Sequence, residues 1–206
     1  MIKVSVAKKE DTPYEELFHV MKEAFKERSE QGLNFVCLSW SLDDFISKLK
    51  NNTILIARDT ENDDKIIGFE RLVFNNDFVA LGIIAILPDY KRGGVGMLLF
   101  NTAEQIVKSA NYNYMAADTA VGAKSSVKWH LKNGFKKYEL RSYKSTNYYS
   151  YIFRKQLVYH PKWSNPIYCK LHYWKSAIKC RMYTLANGED RKSKWLNLYL
   201  WLRGAK

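Results

Sequence analysis

The sequence predicts an α/β protein of the α+β type: a mixed, mostly antiparallel sheet of six to seven strands flanked by helices, with a C-terminal helical appendage. Three observations carry this. Strand and helix patterns alternate in the order strand, two helices, three strands, helix, strand, helix, two strands. The three central strands are joined by the turns Glu61-Asn62-Asp63-Asp64 and Asn75-Asn76-Asp77, connections that permit only antiparallel pairing. A glycine-rich loop then leads into a helix, and the strand after it runs parallel to the last strand of the meander if the two are neighbours.

The chain opens with Ile2, Val4 and Val6 alternating with polar residues, a half-buried strand. Thr12-Pro13-Tyr14-Glu15 reads as a capping box with proline in the first helical position. Leu17, Val20, Met21, Ala24 and Phe25 form the buried stripe of that helix, which stops before Gly32. Ser41-Leu42-Asp43-Asp44 begins a shorter helix with Leu42, Phe45, Ile46 and Leu49 inward, ended by Asn51-Asn52. The meander occupies 53–58, 65–74 and 78–87. Beyond the loop, Leu99, Ala103, Ile106 and Ala110 recur at helical spacing, beside Leu98 and Thr102. A strand at 112–119 follows, then a helix from about 123 to 133 closed by Gly134 in the favoured position past its C-terminus. Strands at 135–143 and 148–154 form a hairpin.

The stretch with chemical content is Ile83 to Leu99. An apolar run ends at Pro88, Lys91-Arg92 follows, and Gly93, Gly94 and Gly96 crowd the start of a helix. Glycines let main chain approach a ligand, and successive N–H groups there gather into an anion site strengthened by the helix N-terminus. Lys91 and Arg92 add full charges, so the stretch suits a diphosphate. It is not a nucleoside-triphosphate loop, which needs Gly-Lys-Ser or Gly-Lys-Thr after its glycines. As a dinucleotide fingerprint, Gly94-Val95-Gly96 has Asp118 about twenty residues on, but Leu99 stands at the third glycine position. An antiparallel meander directly upstream is also wrong for a doubly wound sheet.

Lys91-Arg92-Gly93-Gly94-Val95-Gly96, preceded by Ile86-Leu87-Pro88, resembles the acyl-CoA loop of the GNAT superfamily of N-acetyltransferases, Arg/Gln-x-x-Gly-x-Gly/Ala after Val-x-Pro. Lysine in first place is a departure. The element order resembles the GNAT topology over residues 2–157, which makes 1–157 the acyltransferase domain and 158–206 an extension. The resemblance implies acetyl-CoA as co-substrate, no metal, and direct transfer to a primary amine of a small molecule or protein. It implies that Lys91, Arg92, Gly93, Gly94, Val95, Gly96 and Met97 hold the diphosphate. The main chain of Ile84 and Ile86, at a splay between strands, is implied to pair with the pantetheine arm.

The family pattern Asn-x-x-Ala-x-x-x-Tyr-x-x-x-Gly-Phe, counted back from Gly134-Phe135, falls on Ala123, Ser126 and His130. Asparagine, alanine and tyrosine are thus all replaced. His130 is the candidate donor to the leaving sulfur, since an imidazole titrates near working pH; the alternative is a hydrogen-bonded helix histidine. No acid occupies the strand before the loop. Glu70, among Ile66, Gly68, Leu72 and Phe74, is the candidate general base, and Asp118 is the second; either alternatively serves as a paired strand acid. Tyr143, Tyr148, Tyr149 and Tyr151 line an acceptor pocket or belong to the core. The missing residues also leave open a non-catalytic CoA-binding or interaction module.

Composition agrees with a globular chain, at 47% hydrophobic residues. Cys37, Cys169 and Cys180 show no Cys-x-x-Cys spacing, which points to reduced, cytoplasmic thiols rather than a disulfide or zinc framework. No signal peptide or membrane span is legible. From His160 on, ten Lys/Arg face two acids, so this segment carries +8 of the net +12. Asn165-Pro166 starts a helix and Asn187-Gly188 ends it, with Ile167, Leu171, Trp174, Ile178, Met182 and Leu185 on one face. Residues 193–203 carry Trp195, Leu196, Leu198, Tyr199, Leu200, Trp201 and Leu202. Three readings stay open for this surface: packing onto the body or onto a second subunit as a homodimer, peripheral docking at the anionic inner face of a membrane, and nucleic-acid binding, which fits least because aliphatic faces do not read phosphates.

Overall fold

The computed structural model describes residues 1–30 and 32–186. The elements are β1 (Ile2–Val6), α1 (Tyr14–Glu30), α2 (Leu42–Leu49), β2 (Thr53–Asp59), β3 (Lys65–Phe74), β4 (Phe78–Ile86), α3 (Val95–Ser109), β5 (Tyr114–Ala120), α4 (Lys124–Lys132), β6 (Lys136–Ser142), β7 (Tyr149–Gln156) and α5 (Pro166–Ala186). The sheet has seven strands in the order β1-β2-β3-β4-β5-β7-β6. β1 to β4 pair antiparallel and β4 with β5 parallel. The expected mixed, mostly antiparallel sheet flanked by helices is the observed one.

The chain forms two compact units, Met1–Asp118 with Arg154–Val158, and Thr119–Phe153 with the chain from Tyr159 on. In the first, α1 and α2 cover one face of the meander. Leu17, Met21, Phe45, Leu49 and Phe69 are fully buried there, and Phe45 meets Phe69 edge-on at 6.0 Å, the favoured aromatic geometry. The expected stripe of α1 is buried. The capping box drawn for it does not form as expected, because the Thr12 hydroxyl donates to the Lys8 carbonyl at 2.8 Å. A reciprocal box forms on α2 instead: Ser41 Oγ accepts from the Asp44 N–H while the Asp44 carboxylate accepts from the Ser41 N–H. A 3-10 turn at Val36–Ser39, not legible in the sequence, joins the two helices.

The buried face of α3 is Val95, Leu99, Phe100, Ala103 and Val107. This is displaced from the expected stripe, since Ala110 is exposed and Ile106 only half-buried. Glu104 anchors the helix flank through Lys108 and Lys155, each at 2.7 Å.

In the second unit α5 packs on β6, the last strand of the sheet. Its contacts go to main-chain groups of that edge. The Leu140 N–H donates to Ser176 Oγ at 3.2 Å, and His172 Nδ1 donates to the Tyr138 carbonyl at 3.0 Å. Asn165 Oδ1 caps the helix, accepting from the Ile167 and Tyr168 N–H groups, as expected. Of the readings left open for the apolar stripe, packing onto β6 is not the one observed. Cys169, Ala177 and Thr184 are buried, whereas Ile167, Leu171, Trp174, Ile178 and Met182 are exposed. Polar bonds to the strand edge selected the narrower, small-residue face, a preference that apolar periodicity cannot register. The expected helix end at Asn187-Gly188 and the segment 193–203 lie outside the described residues.

Removing either edge bond leaves a strand-edge group short of a partner. His172→Ala and Ser176→Ala are each expected to lower unfolding free energy by about 1 kcal/mol in a urea titration, with no change in the stability of a Lys170→Ala control.

Candidate active site

The strand that leads into the glycine loop has an irregular partner on one side and loses its partner on the other. Between β3 and β4 the register runs Glu70↔Ile84 and then Leu72↔Leu81. Gly82 and Ile83 therefore stand opposite Arg71 alone, a β-bulge carried by β4. On the other side, the parallel ladder with β5 runs from Phe78↔Tyr114 to Leu81↔Ala117 and stops. Residues 82–86 continue beyond it, with the main chain of Ile84 and Ile86 on the unladdered side. That is the splay expected from the family resemblance.

β4 passes through Leu87 into a 3-10 turn, Pro88–Tyr90. Tyr90 pins this turn to the end of β2, its hydroxyl donating to Asp59 at 3.1 Å and accepting from Asn62 Nδ2 at 3.2 Å. Arg92 then adopts φ +69° and Gly94 φ +85°. The left-handed conformation is free for Gly94 but costs an arginine roughly 1 kcal/mol. Gly94 is the N-cap of α3 and supplies no side chain, so its carbonyl takes the Met97 and Leu98 N–H groups. The N–H groups of Arg92, Gly94, Val95 and Gly96 have no main-chain acceptor. Alternating backbone hands followed by a helix N-terminus turn such donors into one concavity, which suits a diphosphate. Gly96 is needed for closeness: a Cβ there would stand 3.3 Å from Ile86 Cδ1, tying the cup to the free strand edge. The residues present therefore fit the linked phosphates and arm of acetyl-CoA.

The two cations of the loop differ. Lys91 Nζ is engaged by Glu27 of α1 at 2.7 Å, whereas Arg92 is exposed and in no ion pair. Met97, in the first turn of α3, is 37% exposed.

Glu70 is fully buried and neither carboxyl oxygen has a hydrogen-bond partner. Its register neighbours are Leu55 and Ile84. Loss of hydration in this apolar setting raises its pKa to about 8. Asp118, the second candidate, is exposed at the end of β5. The sequence reading passed over Arg71, which occupies the other face of β3 at the bulge. Burial lowers its pKa, its Nη1 donates to the Lys48 carbonyl at 3.3 Å, and its buried Nε has no partner. A Cβ on Gly82 would come within 2.5 Å of that Nε. Gly82, read as a gap in the acid pattern, is thus what makes room for a guanidinium.

His130 belongs to the second unit and is 5% exposed. Its ring stacks on Phe153 at 5.0 Å and meets Phe135 edge-on. Nδ1 lies 2.8 Å from the Ser126 carbonyl, which can only accept, so Nδ1 carries the proton. In the neutral ring that leaves Nε2 an acceptor. Tyr149 and Tyr151 turn toward α5. The Tyr149 hydroxyl lies 2.7 Å from Thr184 Oγ1, and Tyr151 packs near Tyr173 with Lys137 Nζ over its ring at 4.0 Å. Among the described residues no group of three or more His, Cys, Asp or Glu could hold a metal ion.

A free strand edge running into an amide cup of this kind defines an acyl-CoA-binding acetyltransferase, and the comparisons give the family. The model of the acetyltransferase (GNAT) family matches residues 14–135, and the chain belongs to that family, whose co-substrate is acetyl-CoA. It is similar to the ribosomal-protein-S18-alanine N-acetyltransferase of Escherichia coli (TM-score 0.63, 16% identity, 79% of this chain and 97% of that one). It is similar also to the PaiA N-acetyltransferase of Thermoplasma acidophilum, solved in complex with coenzyme A (TM-score 0.61, 22% identity, 76% and 99%). At these identities the likeness is one of fold. No curated protein matches the sequence.

The buried Glu70 makes stability depend on pH with a definite sign. The native state keeps its proton up to about pH 8, while the unfolded chain gives it up above about 4.5. Native protein thus binds more protons between these values, and its stability falls there by about 1.4 kcal/mol per pH unit on this account. Glu70→Gln is expected to remove that loss, so its stability relative to wild type rises from pH 5 to pH 8 in matched denaturant titrations. A pH-independent difference would mean that Glu70 is ionised in the fold.

Proposed function

We propose that this chain transfers acetyl from acetyl-CoA directly to a primary amine of a small molecule or a protein. The observation that supports it is the set of N–H groups of Arg92, Gly94, Val95 and Gly96 that have no main-chain acceptor, in continuity with the free edge of β4. The amides of Arg92, Gly94, Val95 and Gly96 would hold the diphosphate, with Arg92 adding its charge and Gly93 and Met97 completing the turn. The Lys91 charge is shared with Glu27, so Lys91 serves more to fasten the loop to α1 than to bind phosphate. The main chain of Ile84 and Ile86 would align the pantetheine arm as an added strand. Bound there, acetyl-CoA supplies an acyl group activated as a thioester.

The remaining chemistry is a proton problem. An alkyl amine of ordinary pKa near 10 is charged at neutral pH and cannot attack until it loses a proton. Glu70 is the proposed acceptor. Its register partner is Ile84 of the cofactor strand, and a carboxyl with a pKa of about 8 is a far stronger base than an ordinary carboxylate once ionised. Glu70 takes the first proton, from the ammonium; transfer then makes the C–N bond and breaks the C–S bond, and the second nitrogen proton, lost as the amide forms, goes to water or to the departing thiolate. A thiol of ordinary pKa near 8.5 leaves readily as the anion, so a dedicated acid is dispensable.

That bears on His130, for which we propose a positioning role within its own unit. Its Nδ1 proton is held by the Ser126 carbonyl, and in the neutral ring Nε2 is an acceptor rather than a donor. The Nδ1–H bond to Ser126 and the stack on Phe153 support a ring that fixes α4 against β7.

Thiol release from acetyl-CoA across a panel of amines tests the reading. Turnover is expected to rise with pH through about 8. Glu70→Gln is expected to lower kcat by roughly a hundredfold or more, with the KM for acetyl-CoA unchanged, and Gly96→Val to raise that KM. His130→Ala should lower thermal stability and keep the shape of the pH profile; loss of a descending limb would make His130 the donor. Binding of CoA with no amine-dependent thiol release would establish a non-catalytic CoA-binding module.

A further inference from the structure

Helix α5 has two opposite faces of different character. One side is occupied by β6 and by Tyr149. On the other, Ile167, Leu171, Trp174, Ile178 and Met182 are each between 44% and 69% exposed. At helical spacing these five fall within roughly 80° of arc and extend over about 22 Å. Single exposed apolar residues are ordinary, but a continuous stripe of this length marks a docking surface. Charge flanks it on both sides. Lys170 borders one margin, Lys175 and Lys179 the other, all three exposed, and α5 contains no acidic residue.

We propose that this face of α5 docks on an anionic lipid surface. The charge pattern selects that occupant over the others. A second copy laid on the same face would set basic margins against basic margins, with no carboxylate of α5 to offset them. The chain's own residues 187–206 carry Arg191, Lys192, Lys194, Arg203 and Lys206 against Glu189 and Asp190, a net charge of +3 and again the same sign. Nucleic acid would match the charge and leave the stripe in water. An anionic bilayer satisfies both features: aliphatic side chains and Trp174 enter the acyl boundary, while the lysines stay among the headgroups. No helix among the described residues is long and apolar enough to cross a membrane, so the contact is one of lying on the surface. The inference stands apart from the catalytic reading and places the enzyme near amines presented at a membrane.

The test is co-sedimentation of the full chain with vesicles of phosphatidylcholine alone and of phosphatidylcholine with phosphatidylglycerol, in low and high salt. Binding is expected to the anionic vesicles and to weaken with salt. Ile178→Glu, at an exposed site, should lower the partition coefficient tenfold or more with an unchanged melting temperature. Lys170→Glu with Lys179→Glu should lower it roughly fivefold or more per residue. The proposal is overturned if wild-type protein stays in the supernatant with anionic vesicles, or if Ile178→Glu binds them as well as wild type. It is equally overturned if Ile178→Glu instead dissociates a dimer, or lowers the melting temperature as it would by uncovering residues 187–206.

Discussion

A strand inside a sheet must place its amides and carbonyls on two neighbours, because a buried main-chain group without a partner is costly. β4 meets this condition for only part of its length on one side. Its ladder with β5 ends at Leu81 while the strand runs on to Ile86. The extra residue at Gly82-Ile83 is the device that turns it, since a bulge bends a strand and raises its twist. Everything assigned to the cofactor lies downstream of that break. The unladdered segment requires an outside partner, and the cup at Arg92 to Gly96 is a second set of donors in the same condition. Both sets are main-chain groups.

The same bulge sorts the two ionisable residues beside it. Glu70 and Arg71 are adjacent on β3, so their side chains leave on opposite faces and cannot pair with each other. Each is displaced from its ordinary ionisation by burial, the carboxyl upward and the guanidinium downward. A carboxyl kept protonated and a guanidinium buried short of partners both cost stability, and sites of this kind cluster where chemistry is done. Arg71 is also matched to its strand partner. Without glycine at 82 its guanidinium would collide with a side chain, so the bulge and the cation belong together.

Much of this was legible in the sequence because it rests on local rules. The period-two alternation of Ile2, Val4 and Val6, the short polar turns of the meander and Gly134 after α4 each encode a local preference, and the corresponding elements are where they were expected. The glycine loop was legible because close approach and φ above zero both demand glycine. What could not be read are the pairings. The bulge needs the register of two strands, and no pattern in 78–86 announces it. The ion pair of Lys91 could not be read because Glu27, its partner, is far away in sequence. Burial of Glu70 and His130 was anticipated from their faces. The Nδ1 bond to Ser126 that fixes the tautomer of His130, however, depends on a rotamer within the helix.

α5 shows most clearly how tertiary demand overrides periodicity. β6 ends the sheet, and an end strand exposes unpaired donors and acceptors that invite another chain. α5 answers with side chains, Ser176 and His172, placed on Leu140 and Tyr138 at alternate residues of the strand. Serine and histidine can do this from the helix face that also carries Cys169, Ala177 and Thr184. A stripe of Ile, Leu and Trp has no donors or acceptors for the edge. Hydrogen-bond satisfaction therefore took the polar, small-residue side inward, and the larger apolar stripe was left outward as a consequence. The stripe thus lies outward between basic margins as a side-effect of how the edge of β6 is satisfied.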